Sequence, residues 1–173
     1  MRPEVLFDAE TLDRRIDALA AEITADHRGC ERLLVIGVLK GAVFFVTDLL
    51  KRLDLPVVLD FIQTSSYRDS TEPGEVRIRK DIDLTVRGAD VLLIEDIVDT
   101  GHTLKTILGL LQFRGARQVR LCTLLDKPSR RQVEVPIDYC GFEIPDHFVV
   151  GYGLDYAERY RHLPYVGILP SDG

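Results

Sequence analysis

Two rhythms of apolar residues alternate along this chain. From residue 9 to about 27, Leu12, Ile16, Leu19, Ala20 and Ile23 recur at helical spacing, which predicts a helix with one buried stripe. Asp8 stands where an N-cap belongs, and Gly29 where a helix stops. Residues 33–39, LLVIGVL, are then apolar without interruption, as in a parallel strand covered on both faces. After Lys40-Gly41 the helical rhythm returns on Ala42, Phe45, Val46, Leu49, Leu50 and Leu53.

The alternation continues downstream. Residues 57–62, 91–95 and 119–125 read as strands, and residues 148–150 as a short one. Leu104, Ile107, Leu108 and Leu111 mark a helix that Gly115 ends. Residues 75–83, EVRIRKDID, alternate polar and apolar as a half-exposed strand does, and residues 128–131 form a basic turn. The stretch 64–74, TSSYRDSTEPG, is polar and holds the turn signal Pro73-Gly74. Strands alternating with helices predict an α/β fold with a mainly parallel sheet flanked by helices. In such sheets ligands bind beyond the C-terminal ends of the strands. Lys40-Gly41, residues 95–103 and Lys127 each follow such a strand, so three loops are expected to share one site.

Size and charge narrow the function classes. A chain of 173 residues favours one domain with a sizeable core. With 22 Lys and Arg against 28 Asp and Glu, the net charge of -6 argues against a surface devoted to nucleic acid or anionic membrane. Cys30, Cys122 and Cys140 lie far apart and lack a CxxC spacing, so no zinc site or disulfide framework is expected. The opening residues MRPEVLFDAE lack the apolar segment of a secretory signal, and no apolar run reaches membrane-spanning length. A reducing, cytoplasmic setting is the expectation.

The chemistry concentrates in VLLIEDIVDTGHTL, residues 91–104. A helix start with Gly101 for close backbone approach and the hydroxyls of Thr100 and Thr103 can hold a phosphate on its free N–H groups. It is not a Walker loop, since GxxxxGK[ST] is absent. The same turn could equally be a helix capped by Asp99 or Thr100. Glu95 and Asp96 weigh against capping alone, because paired acids at the end of a buried strand need partners. Carboxylates accept from vicinal hydroxyls and bind Mg²⁺, so phosphate, sugar hydroxyls and a metal would together use every residue here.

This combination resembles the phosphoribosyl-pyrophosphate signature of type I phosphoribosyltransferases. EDIVDTG is similar to the 6-oxopurine branch, the hypoxanthine-guanine phosphoribosyltransferases of bacterial type. So are VLKGAVFF at 38–45, SSYRDS at 65–70, LLDKPSRR at 124–131 and PDHFVVGYGLDYAERYRHLPYVG at 145–167. The resemblance covers nearly the whole chain, and its long C-terminal part is the most specific. It implies a single domain over 1–173, with a core at about 30–170. It further implies a lid loop at about 64–75 and a small hood made by the N- and C-terminal segments.

The resemblance also implies roles. Glu95 and Asp96 hold the ribose hydroxyls directly or through Mg²⁺, with Asp155 as a further metal ligand. Residues 99–103, with Thr100, Gly101 and Thr103, hold the 5′-phosphate, and Asp99 is the base or acceptor at purine N7. Lys40-Gly41, preceded by a non-proline cis peptide at 39–40, and Arg161 contact pyrophosphate. Lys127 can donate to the O6 of hypoxanthine or guanine but not to the amino group of adenine. Phe148 stacks on the purine, Val149 offers backbone contacts to its edge, and Ser66 and Tyr67 belong to the lid. Each position has a plainer reading. Lys40 could sit in an ordinary turn, Lys127 on the surface, Phe148 in the core, Asp155 and Arg161 on a charged face, and residues 64–74 at a hairpin tip.

The expected activity transfers phosphoribose from phosphoribosyl pyrophosphate to N9 of hypoxanthine or guanine. It yields IMP or GMP plus pyrophosphate, with Mg²⁺ as cofactor, no nucleic-acid or membrane partner, and a homo-oligomeric state, tetramer or dimer. The rivals are a regulator of the same fold that senses phosphoribosyl pyrophosphate or binds RNA, and an enzyme preferring xanthine or a pyrimidine. The acidic balance and the lack of a helix-turn-helix extension speak against RNA, and the basic cluster of Arg77, Arg79, Lys80 and Arg87 is too small to decide.

Overall fold

The computed structural model describes residues 2–66 and 76–170. In chain order the elements are β1 (Glu4–Phe7), α1 (Ala9–Asp26), β2 (Leu33–Leu39), α2 (Val43–Leu50), β3 (Val57–Ser66), β4 (Val76–Lys80), β5 (Asp90–Val98) and α3 (His102–Phe113). They continue with β6 (Gln118–Asp126), β7 (Tyr139–Glu143), β8 (Val149–Val150) and β9 (Val166–Ile168).

Six strands form the main sheet in the order β4-β3-β2-β5-β6-β7, parallel except for the edge strand β4. The expected α/β class with a mainly parallel sheet is therefore present. Alternate residues of the central strands feed two cores. Leu33 and Val35 of β2 with Leu92 and Ile94 of β5 face α1 and α2. Leu34 and Ile36 with Val91 and Leu93 face Ile107 and Leu111 of α3. This two-sided burial is why β2 and β5 read as unbroken apolar runs. β1, β9 and β8 make a second, three-stranded sheet from the two ends of the chain.

Local signals set several boundaries. Asp8 caps α1, its Oδ1 accepting from the Thr11 N–H at 2.8 Å. α2 ends at Leu50, so Leu53 lies beyond the helix whose stripe it was expected to extend, yet still packs on the core. The strand expected at 75–83 ends at Lys80, where the chain turns so that the Asp83 and Leu84 N–H groups reach Asp60. Phe148 lies just outside β8. The basic turn is a short 3-10 helix, Pro128–Arg130. β1, β7 and β9 carried no usable pattern, since strands of three to five residues are too short to display a period.

The chain enters the sheet at β2, proceeds outward to β3, then crosses to β5 on the other side of β2. Strand order therefore reverses between β2 and β5. A crevice opens at the C-terminal ends of strands on either side of such a reversal.

Candidate active site

A cavity of about 240 Å³ occupies this reversal. β2 contributes Val38, Leu39 and the following Gly41; β3 contributes Thr64; β5 contributes Glu95, Asp96 and Ile97. Asp99, Thr100, Gly101, Thr103 and Leu104 complete the wall from the start of α3. The Lys40 and β5 loops, far apart in sequence, thus meet as expected.

The helix start is open. Gly101 occupies the N-cap of α3 with a left-handed φ of 92°, and no side chain caps the helix. The capping role open to Asp99 or Thr100 is thereby excluded. A Cβ at Gly101 would lie 2.6 Å from the Val133 carbonyl, so glycine is required by both conformation and space. The first-turn N–H groups are left for an anion, at the positive end of the helix dipole.

Glu95 and Asp96 form an acidic pair, the first buried and the second half-buried. Glu95 is 8% exposed, and its Oε1 accepts from the Asp96 N–H at 3.0 Å. Asp96 Oδ1 accepts from the Ile97 N–H at 2.7 Å. Burial, then the neighbouring Asp96 charge, pushes the Glu95 carboxyl well above its usual range. Burial also raises Asp96, although Glu95, local N–H groups and Arg161 oppose this. The Asp96 carboxylate sits directly against Gly41: a Cβ there would lie 1.7 Å from Asp96 Oδ2.

The Leu39-Lys40 peptide is cis, as the resemblance implied. Lys40 Nζ donates to Glu158 Oε2 at 2.9 Å. Arg161 donates to the Gly153 carbonyl at 2.6 Å and to Glu158 Oε1 at 3.2 Å, and pairs with Asp155 Oδ1 at 3.1 Å. Asp155 Oδ2 accepts from the Glu158 N–H at 2.8 Å. Both Asp155 oxygens thus face their own loop, and the expected metal set of Glu95, Asp96 and Asp155 is not assembled by protein contacts. Among the described residues no three His, Cys, Asp or Glu side chains converge on a metal position.

The residues expected to recognise the base lie along the next loops. The Lys127 N–H bonds the Val98 carbonyl at 3.0 Å, which brings the end of β6 beside the end of β5. Lys127 is only 7% exposed, against its reading as a surface lysine, and its Nζ stands 3.6 Å from Asp146 Oδ1. Phe148 is 52% exposed, so it is not a core residue; it meets Tyr156 edge-on with ring centroids 5.6 Å apart. Val149 is buried in β8. Ser66 closes β3, while Tyr67 and most of the expected lid lie outside the described residues.

Several neighbours of these residues were not anticipated from the sequence. Arg130 Nε donates to Asp99 Oδ1 at 3.1 Å, and Arg131 Nε to the Asp99 carbonyl at 3.1 Å. Glu158 joins Lys40 to Arg161, Tyr156 flanks Phe148, and Thr64 lines the cavity. The basic turn after Lys127 was the signal for Arg130. Glu158 gave none, because a carboxylate among charged residues looks like a solvated face.

Residues 4–157 match the model of the phosphoribosyl transferase domain. The chain belongs to the phosphoribosyltransferase family. It is 49% identical over 167 residues to the hypoxanthine-guanine phosphoribosyltransferase of Bacillus subtilis, covering 96% of this chain and 92% of that protein. It is 53% identical over 170 residues to the bifunctional protein TilS/HprT of Listeria monocytogenes, covering 98% of this chain but spanning only 26% of that protein. Its fold is similar to the crystal structure of a hypoxanthine-guanine phosphoribosyltransferase from Bacillus anthracis, with TM-score 0.94 and 41% identity over 98% of this chain and 100% of that one. Among phosphoribosyltransferases the chain thus stands with the hypoxanthine-guanine branch. Among its described residues no helix is long and apolar enough to cross a membrane.

Proposed function

We propose that this phosphoribosyltransferase moves phosphoribose from phosphoribosyl pyrophosphate to N9 of hypoxanthine or guanine, forming IMP or GMP and pyrophosphate. The observation that carries the reading is one cavity in which an uncapped helix start and the adjacent carboxylates of buried Glu95 and half-buried Asp96 share the wall. The helix N–H groups with Thr100 and Thr103 take the 5′-phosphate. Glu95 and Asp96 accept from the ribose hydroxyls.

Mg²⁺ fits this donor set. Glu95 and Asp96 are hard oxygen donors, and no Lys or Arg among the described residues forms an ion pair with Glu95. A cation here would complete its shell with substrate oxygens and water, the usual arrangement for Mg²⁺. When bound, Mg²⁺ supplies positive charge toward the leaving pyrophosphate. Asp155 is the weaker candidate ligand, since Arg161 and the Glu158 N–H already engage it.

The residues divide the remaining work. Lys40, the Gly41 backbone and Arg161 receive pyrophosphate. Phe148 offers a half-exposed ring for stacking, Val149 offers backbone polar groups to the base edge, and Lys127 donates to O6. Asp99 accepts the proton or hydrogen bond at N7 as N9 attacks the anomeric carbon from the side opposite the departing pyrophosphate. Ser66 and Tyr67 serve the lid, which keeps water from the cation-like ribosyl group. A homo-oligomeric state, dimer or tetramer, and a cytoplasmic setting complete the proposal, the free cysteines suiting the latter.

The test is pyrophosphate release from phosphoribosyl pyrophosphate with Mg²⁺ and, in turn, hypoxanthine, guanine, xanthine, adenine and uracil. Release with hypoxanthine or guanine is expected. Silence with every 6-oxopurine overturns the reading.

A further inference from the structure

Glu158 has no role in the reaction as derived above, yet it binds two groups that do. It sits in a two-residue turn closed by Tyr156 and Arg159, which exchange backbone hydrogen bonds of 3.1 and 3.0 Å. Both central residues, Ala157 and Glu158, have left-handed φ angles of 51° and 62°. Turns of this shape ordinarily place Asn and Gly there. Ala-Glu therefore departs from the local preference, and such departures concentrate at functional sites.

This backbone carries the carboxylate across the mouth of the site. Its Oε2 accepts from Lys40 Nζ at 2.9 Å and its Oε1 from Arg161 Nη2 at 3.2 Å. The hydrogen bonds of Lys40 and Arg161 hold the Glu158 carboxyl below its ordinary value, so it meets them as an anion. Two oxygens bridging a lysine and an arginine present what a pyrophosphate would present to them. The Glu158 and Lys40 side chains are 65% and 54% exposed, so the pair is weak and open to exchange with a competing polyanion.

We propose that Glu158 is an internal competitor for the pyrophosphate subsite. It occupies Lys40 and Arg161 in the empty enzyme, gives way when the pyrophosphoryl group of the substrate arrives, and returns as the product leaves. The inference rests on the assignment of Lys40 and Arg161 to pyrophosphate made above. A strut that merely aims the two cations would use the same contacts, but the two roles predict opposite signs. Removing a competitor strengthens pyrophosphate binding, whereas removing a strut weakens it.

The experiment compares the enzyme with Glu158→Gln, which keeps the length and shape of the side chain and removes the charge. The inhibition constant of pyrophosphate, the KM of phosphoribosyl pyrophosphate and the KM of hypoxanthine are measured with Mg²⁺. The first two should fall about three- to tenfold, the range expected on losing two exposed ion pairs, while the third stays within about twofold. Unchanged or raised values for the first two overturn the proposal. Should the glutamine variant lose its fold, Glu158→Asp tolerates the left-handed backbone but is too short to span both cations; it must shift the constants in the same direction, and no shift overturns the proposal. A wild-type enzyme inactive with all 6-oxopurines defeats the functional reading itself. An active wild type with an unaltered Glu158→Gln variant defeats only the competitor.

Discussion

Gly41 and Asp96 share a space that holds only one side chain. A Cβ on Gly41 would stand 1.7 Å from Asp96 Oδ2 and 2.7 Å from its carboxyl carbon. The loop after β2 can therefore approach β5 only as glycine, and that approach fixes both the proposed pyrophosphate loop and the acidic pair. Gly41→Ala should displace the Asp96 carboxylate, or push the loop away, by about an ångström. A misplacement of that size can cost about a hundredfold in rate. Steady-state kinetics should show that loss in kcat/KM for phosphoribosyl pyrophosphate, with the fold retained by circular dichroism.

Asp99 is held by Arg130 Nε at one carboxylate oxygen, leaving the other available to a base. Asp99→Asn keeps the shape and removes the proton acceptor. Turnover should fall about 10²- to 10⁴-fold, the usual worth of a positioned acid or base. Affinity for IMP should change little, since the proposed phosphate and ribose contacts do not use the Asp99 side chain. Turnover equal to wild type would remove Asp99 from the base role.

In its proposed role Lys127 would supply only donors toward the base. Lys127→Gln offers an acceptor as well as a donor. The kcat/KM for hypoxanthine and guanine should fall about 10- to 100-fold, the cost of a charge-assisted hydrogen bond. Adenine, rejected by the ammonium, should become a measurable substrate or competitive inhibitor. If the preference for 6-oxopurines survives, Lys127 does not read O6.

Asp60 gives the protein an acid-sensitive anchor away from the site. It is 6% exposed, and its carboxylate accepts from the Phe61, Asp83 and Leu84 N–H groups at 2.7, 2.8 and 2.8 Å. Burial alone would raise its pKa; the N–H groups of Leu84, Phe61 and Asp83 and the Lys80 ammonium prevail and lower it from 3.8. The folded value lies below the unfolded one, so the contribution is full above the unfolded pKa and is lost as pH falls through the folded value. Asp60→Asn should cost about 1–3 kcal/mol at neutral pH. In urea unfolding, the gap between wild type and variant should narrow below about pH 4.

The site was partly legible in sequence, and particular residues show why. Glu95, Asp96 and Gly101 announced themselves because acids after a buried strand and a glycine at a helix start break local expectation. Lys127 and Phe148 did not, as a single lysine or phenylalanine has a commonplace reading; the strand before Lys127 gave its place, and only the resemblance to a family's motifs gave either residue a role. Their exposure, 7% for the lysine and 52% for the phenylalanine, inverts the usual preference of each residue type.

By itself the sequence determined the helices α1 and α3, the central strands β2, β5 and β6, and the glycine-bearing turn between β5 and α3, though not that the turn is uncapped. Those features follow from period, run length and glycine placement, which act over a few neighbouring residues. Tertiary structure alone decided the strand order that brings the expected loops together, because that order is set by how helices cover both faces of the sheet. It also decided the contacts that Glu158 and Arg130 make, 118 residues away to Lys40 and 31 residues away to Asp99. A charged side chain carries no local sign of its partner; only the folded backbone, including two left-handed residues at 157 and 158, selects one.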